Sequence, residues 1–171
     1  MRDDQDTRYR EVAAAYGGAL QRLARAVEIN PERRLDLLQD MHVALWRSLA
    51  AYDGRCAMRT WVYRVAHNVA ATHVDRERRT PRGQVALNDI EHLPDVHDVG
   101  GDFEKSEALE RLTALLRDLK MPDRQIMALY LEGLDAAAIA DVTGLSSGAV
   151  ATRISRLKTH LARTFRETSH A

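Results

Sequence analysis

The chain has 171 residues, of which 45% are hydrophobic and 29% are charged, and this length accommodates one medium domain or two small ones. Nine glycines, four prolines and few β-branched residues favour an all-α fold over a strand-rich one. The single cysteine, Cys56, excludes an intrachain disulfide and a cysteine-rich zinc site, so a reducing compartment fits best. No stretch is apolar for long enough to cross a membrane, and the polar first ten residues are unlike a signal peptide. We therefore expect a cytoplasmic protein without membrane insertion.

Basic and acidic residues are distributed unevenly, although their totals of 25 and 25 cancel. Residues 1–79 carry 14 basic and 11 acidic side chains, residues 80–122 carry five and nine, and residues 123–171 carry six and five. The stretch from Gly148 to Arg166 holds five basic residues and no acidic one. Basic regions on both sides of an acidic middle indicate a nucleic-acid partner despite the zero net charge.

Three amphipathic helices are expected in the first half of the chain. Apolar residues recur every three or four positions from Thr7 to Val27, and Asn30-Pro31 ends that pattern. A second helix is expected over about residues 32–51, with a core stripe formed by Leu35, Leu38, Leu45 and Leu49. After a turn at residues 52–55, a third is expected over about residues 58–79, its inward side chains being Trp61, Val65, Val69 and Thr72. These helices suffice for one small domain over residues 7–79.

The following segment, residues 80–102, is expected to be a flexible acidic linker. It holds two prolines and three glycines and shows no sustained helical or strand period. Helical periodicity resumes at Phe103 and stops before Met121-Pro122. A second small helical domain is therefore expected over residues 103–167.

The second domain carries the pattern of a helix-turn-helix. Asp123 and Asp135 can cap two successive helices, which Gly133 and Gly144 would end. Ser146 or Ser147 then opens a longer helix. A short helix, a glycine turn and a longer capped helix are the layout of this DNA-binding motif.

The last helix has an apolar stripe and a polar, cationic face. The stripe consists of Val150, Ile154, Leu157, Leu161 and Phe165. At about 100° per residue, the opposite face consists of Thr152, Ser155, Arg156, Thr159 and Arg163, with Arg153 on its flank. Such a face suits the major groove, because Arg can donate two hydrogen bonds to guanine while hydroxyls and other cations contact phosphates. An ordinary solvated helix face is the alternative.

The chain resembles the extracytoplasmic function sigma factors, the two-domain sigma subunits of bacterial RNA polymerase. Two motifs carry the resemblance: residues 36–70, DLLQDMHVALWRSLAAYDGRCAMRTWVYRVAHNVA, and residues 130–161, YLEGLDAAAIADVTGLSSGAVATRISRLKTHL. The second also resembles the helix-turn-helix of other bacterial regulators, but both occur here in the family's order across an acidic linker. The resemblance covers nearly everything after Thr7. It implies an alternative sigma factor that binds core RNA polymerase and directs promoter-specific transcription initiation.

The resemblance implies roles for polar residues of the first domain. The helix with Asp36, Gln39 and Asp40 is expected to dock on the largest polymerase subunit, where these side chains can pair with basic residues. The next loop and the third helix are expected to open the minus-10 element and hold a flipped base of the non-template strand. The matching polar residues are Arg55, Arg59, Arg64, His67, Asn68, Arg76, Arg78 and Arg79.

In the second domain, the resemblance implies recognition of the minus-35 element. The residues expected there are Thr152, Arg153, Ser155, Arg156, Lys158 and Arg163, with Arg153 and Arg156 as the main base readers. Two positions depart from the family pattern: Met58 stands where Phe is frequent, and Ala151 stands where a basic residue is common. Trp61 and Tyr63 are each either a stacking platform for a base or a core residue.

No enzymatic activity, cofactor or metal site is expected. Cys56 lacks a nucleophile signature, and the pairs His67/His73 and His92/His97 lack the i, i+4 spacing that places two ligands on one helix face. Two alternative functions remain open: a helix-turn-helix regulator that binds duplex DNA without polymerase, and an adaptor that holds polymerase without recognising promoters. The implied partners are core RNA polymerase, promoter DNA and, where the cell supplies one, an anti-sigma factor.

Overall fold

The computed structural model describes residues 2–80 and 103–169, with side chains from Asp3 and, after the gap, from Ser106. Every regular element in these residues is a helix, which confirms the all-α expectation. The helices are α1 (Arg2–Val27), α2 (Pro31–Leu49), α3 (Met58–Arg79), α4 (Phe103–Asp118), α5 (Asp123–Leu131), α6 (Ala136–Thr143) and α7 (Ser147–Ser169). Apart from Thr80, the segment expected to be a linker lies outside the described residues. None of the described helices has the length and apolar character needed to span a bilayer.

Helices α1, α2 and α3 enclose the first core. On α2 the buried positions repeat every four residues and are Leu37, Met41, Leu45 and Leu49. The expected stripe was therefore wrong at Leu35, whose side chain is 67% exposed. Positions 35 and 37 lie about 200° apart on a helix, so a core that buries Leu37 leaves Leu35 facing solvent.

The burial of α3 also differs from the expected pattern. Trp61, Val65 and Val69 are only half-buried against the first core, and Thr72 is exposed. The buried side chains of α3 are instead Val62, Tyr63, Ala66, His67 and Ala70. The reason is that α3 is covered on a second side by the helices that follow residue 102.

Local hydrogen bonds explain where the helices begin and end. The Asn30 side chain accepts from the Arg33 amide at 3.0 Å, and Asp135 accepts from the Ala138 amide at 2.8 Å. Gly144 ends α6 with φ 77°, a left-handed conformation that glycine adopts without strain. Ser146 then accepts from the Ala149 amide at 3.2 Å. The expected caps at both ends of α6 are confirmed, and Ser146 is the serine that opens α7.

The two helical units pack directly against each other. Helix α1 supplies two small residues one above the other, Ala19 and Ala26, and both are buried against the second unit. Ala19 and Tyr63 share an apolar cluster with Leu129, Leu134 and Ile139. Ala26 shares another with Leu116, Met127, Leu157 and Leu161. Small side chains at these positions let α1 approach the second unit closely.

Polar contacts surround the apolar contact between the units. Arg22 makes two parallel hydrogen bonds to the Glu132 carboxylate, at 2.6 and 2.9 Å, a bidentate geometry that strengthens the pair. These bonds to Glu132 raise the pKa of Arg22 above its ordinary value. Three further side chains donate to backbone carbonyls across the boundary: Arg64 to Asp141, Gln125 to His67 and Arg117 to Arg25. This interface was not expected from the sequence.

Reversing the charge at Arg22 should separate the two units, because Arg22→Glu places two carboxylates where a bidentate ion pair now lies. One dye on Cys56 and a second on Glu167→Cys would report their separation by energy transfer. We expect lower transfer for Arg22→Glu and recovery when Glu132→Arg is added. Arg10→Glu, an exposed change on the same helix, is the control. Unchanged transfer in Arg22→Glu would show that this ion pair does not hold the two units together.

Candidate nucleic-acid interface

Helix α7 buries one apolar stripe, which leaves its opposite face exposed to solvent. Val150, Ile154, Leu157 and Leu161 are buried, as their spacing predicts. The face opposite the stripe is exposed at all five predicted positions, Thr152, Ser155, Arg156, Thr159 and Arg163. Together with Leu119 and Asp123, these residues line an open groove between α7 and the junction of α4 and α5.

Arg153 and Arg156 differ in how free their guanidinium groups are. Arg153 donates to the Asp123 carboxylate at 2.7 Å and is 35% exposed, whereas Arg156 lies 3.6 Å from the same carboxylate and is 65% exposed. Asp123 was expected to cap α5, but α5 begins at Asp123 and its side chain binds these arginines instead. The geometry leaves Arg156 the freer of the two for an external partner.

Lys158, a third cation on α7, lies against an aromatic ring. Its ammonium group is 5.4 Å from the centre of the Tyr130 ring, within the range of a cation–π contact. Lys158 is nevertheless exposed. Its charge therefore lies on the flank of α7 that faces Tyr130 of α5 rather than on the outermost face of α7.

Most of the cationic residues proposed for the first domain are exposed. The Arg55 side chain is 90% exposed and pairs with Asp53 at 3.0 Å in the loop before α3. Arg59 and Asn68 lie on the exposed surface of α3. Arg76, Arg78 and Arg79 are exposed in the last turn of that helix. This end of α3 is a basic surface.

Arg64 and His67 face the second unit in this arrangement. The Arg64 guanidinium donates to the backbone carbonyl of Asp141 at 2.7 Å. His67 is buried at 4% exposure, and its Nδ1 has no hydrogen-bond partner among the described residues. Burial lowers the pKa of His67 to about 3, which keeps its imidazole neutral.

The two aromatic residues with an open role have different surroundings. Trp61 is half-buried, donates to the Ser48 hydroxyl at 3.1 Å and packs edge-on against Tyr52 at 5.3 Å. Tyr63 is buried between the units at 6% exposure, and burial together with the Glu132 charge raises its pKa to about 12. Both arrangements favour the core alternative over base stacking in this conformation.

The polar face of α2 carries more than the three residues identified from sequence. Asp36, Gln39 and Asp40 are exposed. Leu35 at 67% and Val43 at 40% exposure flank them. Sequence reasoning missed this apolar contribution because it assigned Leu35 to the core.

Comparisons with known proteins define the class of this protein. The family Sigma-70 region 2 matches residues 12–80, and Sigma-70, region 4 matches residues 109–161. Two such regions in one chain are those of a sigma-70-type sigma factor. The regulator alternative accounts only for the second region, so it is set aside.

Similar proteins show which group of sigma factors this chain resembles. The ECF RNA polymerase sigma-E factor of Haemophilus influenzae is 32% identical over 135 residues, which are 72% of this chain and 69% of that protein. CnrH, a sigma factor of Cupriavidus metallidurans solved in complex with the cytosolic domain of CnrY, is similar with a TM-score of 0.67 and 25% identity, over 93% of this chain and 88% of CnrH.

Sigma factor RpoE, solved with the anti-sigma factor NepR from Bartonella quintana, shares the fold with a TM-score of 0.72 at 16% identity, over 92% of this chain and 96% of RpoE. The chain belongs to the ECF sigma factor family. It is an alternative sigma factor that binds core RNA polymerase and promoter DNA and directs transcription initiation.

His67 should make the stability of the fold depend on pH. Its pKa of about 3 in the folded chain lies below the ordinary value near 6.5, so between these values the unfolded chain binds more protons. Stability from this group is present above pH 6.5 and is lost as the pH falls. We expect a loss of about 2 kcal/mol in the free energy of unfolding between pH 7.5 and pH 5.

Urea unfolding of the wild type and of His67→Gln at both pH values measures this contribution. The variant should lose about 2 kcal/mol less than the wild type over this interval. His160→Gln, at an exposed histidine of α7, should behave like the wild type. Equal pH dependence in His67→Gln and the wild type would refute the assignment.

Proposed function

We propose that the two domains recognise the two promoter elements separately, with α3 and its preceding loop at the minus-10 element and α7 at the minus-35 element. The exposed cationic face of α7, with Arg156 at 65% exposure, is the observation that carries the proposal. Its residues combine a bidentate donor with hydroxyls, as major-groove recognition needs. In the first domain, the exposed cations of the loop and of the last turn of α3 would bind the non-template strand.

Opening the minus-10 element requires a base to leave the stack, which costs a few kcal/mol. Cations along a single strand and a pocket for the extruded base offset that cost. Arg55, Arg59, Arg76, Arg78 and Arg79 supply exposed cations for this role. Arg64 and His67 would join them only after the second domain has moved away from α3. The protein acts by binding, without catalysis of its own, in the cytoplasm where the polymerase works.

The distance between the two promoter elements supports a movement of the second domain away from α3. The minus-10 and minus-35 elements lie about 25 base pairs apart, which is about 85 Å at 3.4 Å per pair. A compact chain of this length has a radius of gyration of about 15 Å. Residues 81–102 reach at most about 75 Å when fully extended. The compact arrangement is therefore not the one that reaches both elements, and separated domains joined by that segment would be.

The compact arrangement also suits a sigma factor held in an inactive form. The RpoE structure that shares this fold was solved with an anti-sigma factor bound. We propose an anti-sigma factor as a further partner of this chain. Such a partner would keep the units together and so keep Arg64 bound to Asp141.

The exposed face of α2 would hold the polymerase. Asp36, Gln39 and Asp40 can pair with basic residues of a partner. Leu35 and Val43 add apolar area that a partner would remove from water. A contact that combines both terms is stronger than charge alone and less sensitive to salt.

Replacing Asp36, Gln39 and Asp40 together by Ala should strongly weaken binding to core polymerase without unfolding the chain, because all three are exposed. Leu35→Ala should also weaken binding while leaving the unfolding midpoint unchanged. Pull-down and urea unfolding measure the two effects. The double variant Glu107→Ala, Glu110→Ala, at exposed acids of α4, is the control. Full binding by the folded triple variant would exclude this face as the contact.

Arg156 and Arg163 should separate base recognition from phosphate binding. Arg156 lies near the start of α7, the part that reaches base edges in helix-turn-helix proteins, and Arg163 lies two turns later. Arg156→Ala should cost about 1–3 kcal/mol at the native minus-35 sequence and little at a scrambled one. Arg163→Ala should weaken binding to both sequences and lower the salt slope by about one.

Both variants are assayed as polymerase holoenzyme titrated on matched and scrambled minus-35 DNA. Lys120→Ala, at an exposed cation after α4, is the control for loss of charge. If Arg156→Ala loses the same binding free energy on both templates, Arg156 does not read bases and the base-reading role proposed for α7 is wrong.

A further inference from the structure

Three potential metal ligands meet on the first domain at a place that the proposed function does not use. Glu28 directly follows α1, while His73 and Glu77 lie one turn apart on α3. Their ligand atoms all lie within 4.8 Å of one another. His73 and Glu77 have the i, i+4 spacing that places two ligands on one face of a helix. Folding adds Glu28 from 45 residues away.

The Glu28 carboxylate is fixed in place before any metal arrives. It is buried at 4% exposure, and its Oε1 accepts from the Asn30 amide at 2.8 Å. Its Oε2 lies 2.8 Å from Nε2 of His73, which itself is 16% exposed. Carboxylates that bind metals are themselves held by hydrogen bonds, and the Asn30 amide holds Glu28 in this way, while Oε2 is hydrogen-bonded to the imidazole that would share the metal.

Arg33 now supplies the positive charge that these carboxylates require. Its Nη1 lies 2.8 Å from Oε2 of Glu77, and its Nε lies 3.8 Å from Oε2 of Glu28. Arg33 is 46% exposed, so its side chain can turn to solvent. A buried carboxylate needs a cation nearby, and a divalent ion at the same place would serve this purpose with stronger charge.

We propose that Glu28, His73 and Glu77 form a binding site for a divalent first-row transition metal, with Zn²⁺ as its simplest occupant. One imidazole nitrogen and two carboxylate oxygens are donors that Zn²⁺ accepts, whereas Mg²⁺ prefers oxygen donors alone. Tetrahedral zinc with bonds of about 2.1 Å needs ligand atoms about 3.4 Å apart. Side-chain rotation opens the His73–Glu28 pair from its present 2.8 Å, so that metal coordination replaces its hydrogen bond, and closes the wider pairs, with water completing the coordination. The metal takes the place of the Arg33 guanidinium.

The test uses the full chain, freed of metal with a chelator and titrated with Zn²⁺ by calorimetry. Visible absorption after Co²⁺ addition reports the coordination. We expect a bound equivalent that His73→Gln weakens by more than about 100-fold and Glu77→Gln by at least about tenfold, since even outer partners of metal ligands are worth 10–100-fold. Because Glu77 is 40% exposed, Glu77→Gln should keep its fold even if His73→Gln unfolds. Asp75→Asn, an exposed change between the two ligands, is the matched control.

Arg33→Ala distinguishes a metal site from an ion-pair network. A metal site that competes with Arg33 should bind Zn²⁺ at least about tenfold more tightly in this variant, and its Co²⁺ spectrum should be unchanged. If the three residues form only an ion-pair network, Arg33→Ala should lower the stability of the fold without tightening Zn²⁺ binding. Two results would overturn the proposal. One is a Zn²⁺ affinity that is the same in the wild type, His73→Gln and Glu77→Gln, and the other is a Zn²⁺ affinity that Arg33→Ala does not change. Added Mg²⁺ should not displace Co²⁺, so the absorption spectrum should stay unchanged.

Discussion

The burial of α1 on two sides is the constraint on which the arrangement of the chain depends. One side of this helix packs Leu20 and Leu23 into the core shared with α2 and α3. The other side presents Ala19 and Ala26 to the second unit, with Arg22 between them bound to Glu132. Because each unit is small, its own core buries only part of its apolar surface. The contact between units removes more of that surface from water, and it also decides which residues of α3 are reachable.

Features that depend on neighbours in the chain could be predicted from the sequence. The ends of α6 follow from Asp135 and Gly144, and the buried stripe of α7 follows from apolar spacing alone. The stripe of α2 could not be decided in this way. Leu35 and Leu37 both continue to Leu45 and Leu49 at helical spacings, and only the positions of α1 and α3 select Leu37. A local pattern therefore located the helix correctly and its buried face wrongly.

Side-chain pairs distant in sequence were beyond prediction for the same reason. Asp123 has the residue type and position of a cap, but its carboxylate binds Arg153 from 30 residues away. Glu28 and His73 become neighbours only when α1 and α3 pack. Small alanines on α1 gave the one signal for the contact between units, since Ala19 and Ala26 lie within about 20° of each other around the helix. Alanine is so frequent in this helix that the signal is weak.

The hydrogen bond from Arg64 to Asp141 has a consequence for apparent affinities. Under the proposed assignment, one guanidinium serves either the second unit or DNA, so the two states exclude each other. A ligand that binds only the open state sees its dissociation constant divided by the open fraction. With one molecule in 100 open, DNA binding by the first domain would weaken about 100-fold. Any partner that favours the open state removes this loss for the first domain, and that partner and DNA would then bind cooperatively without touching each other.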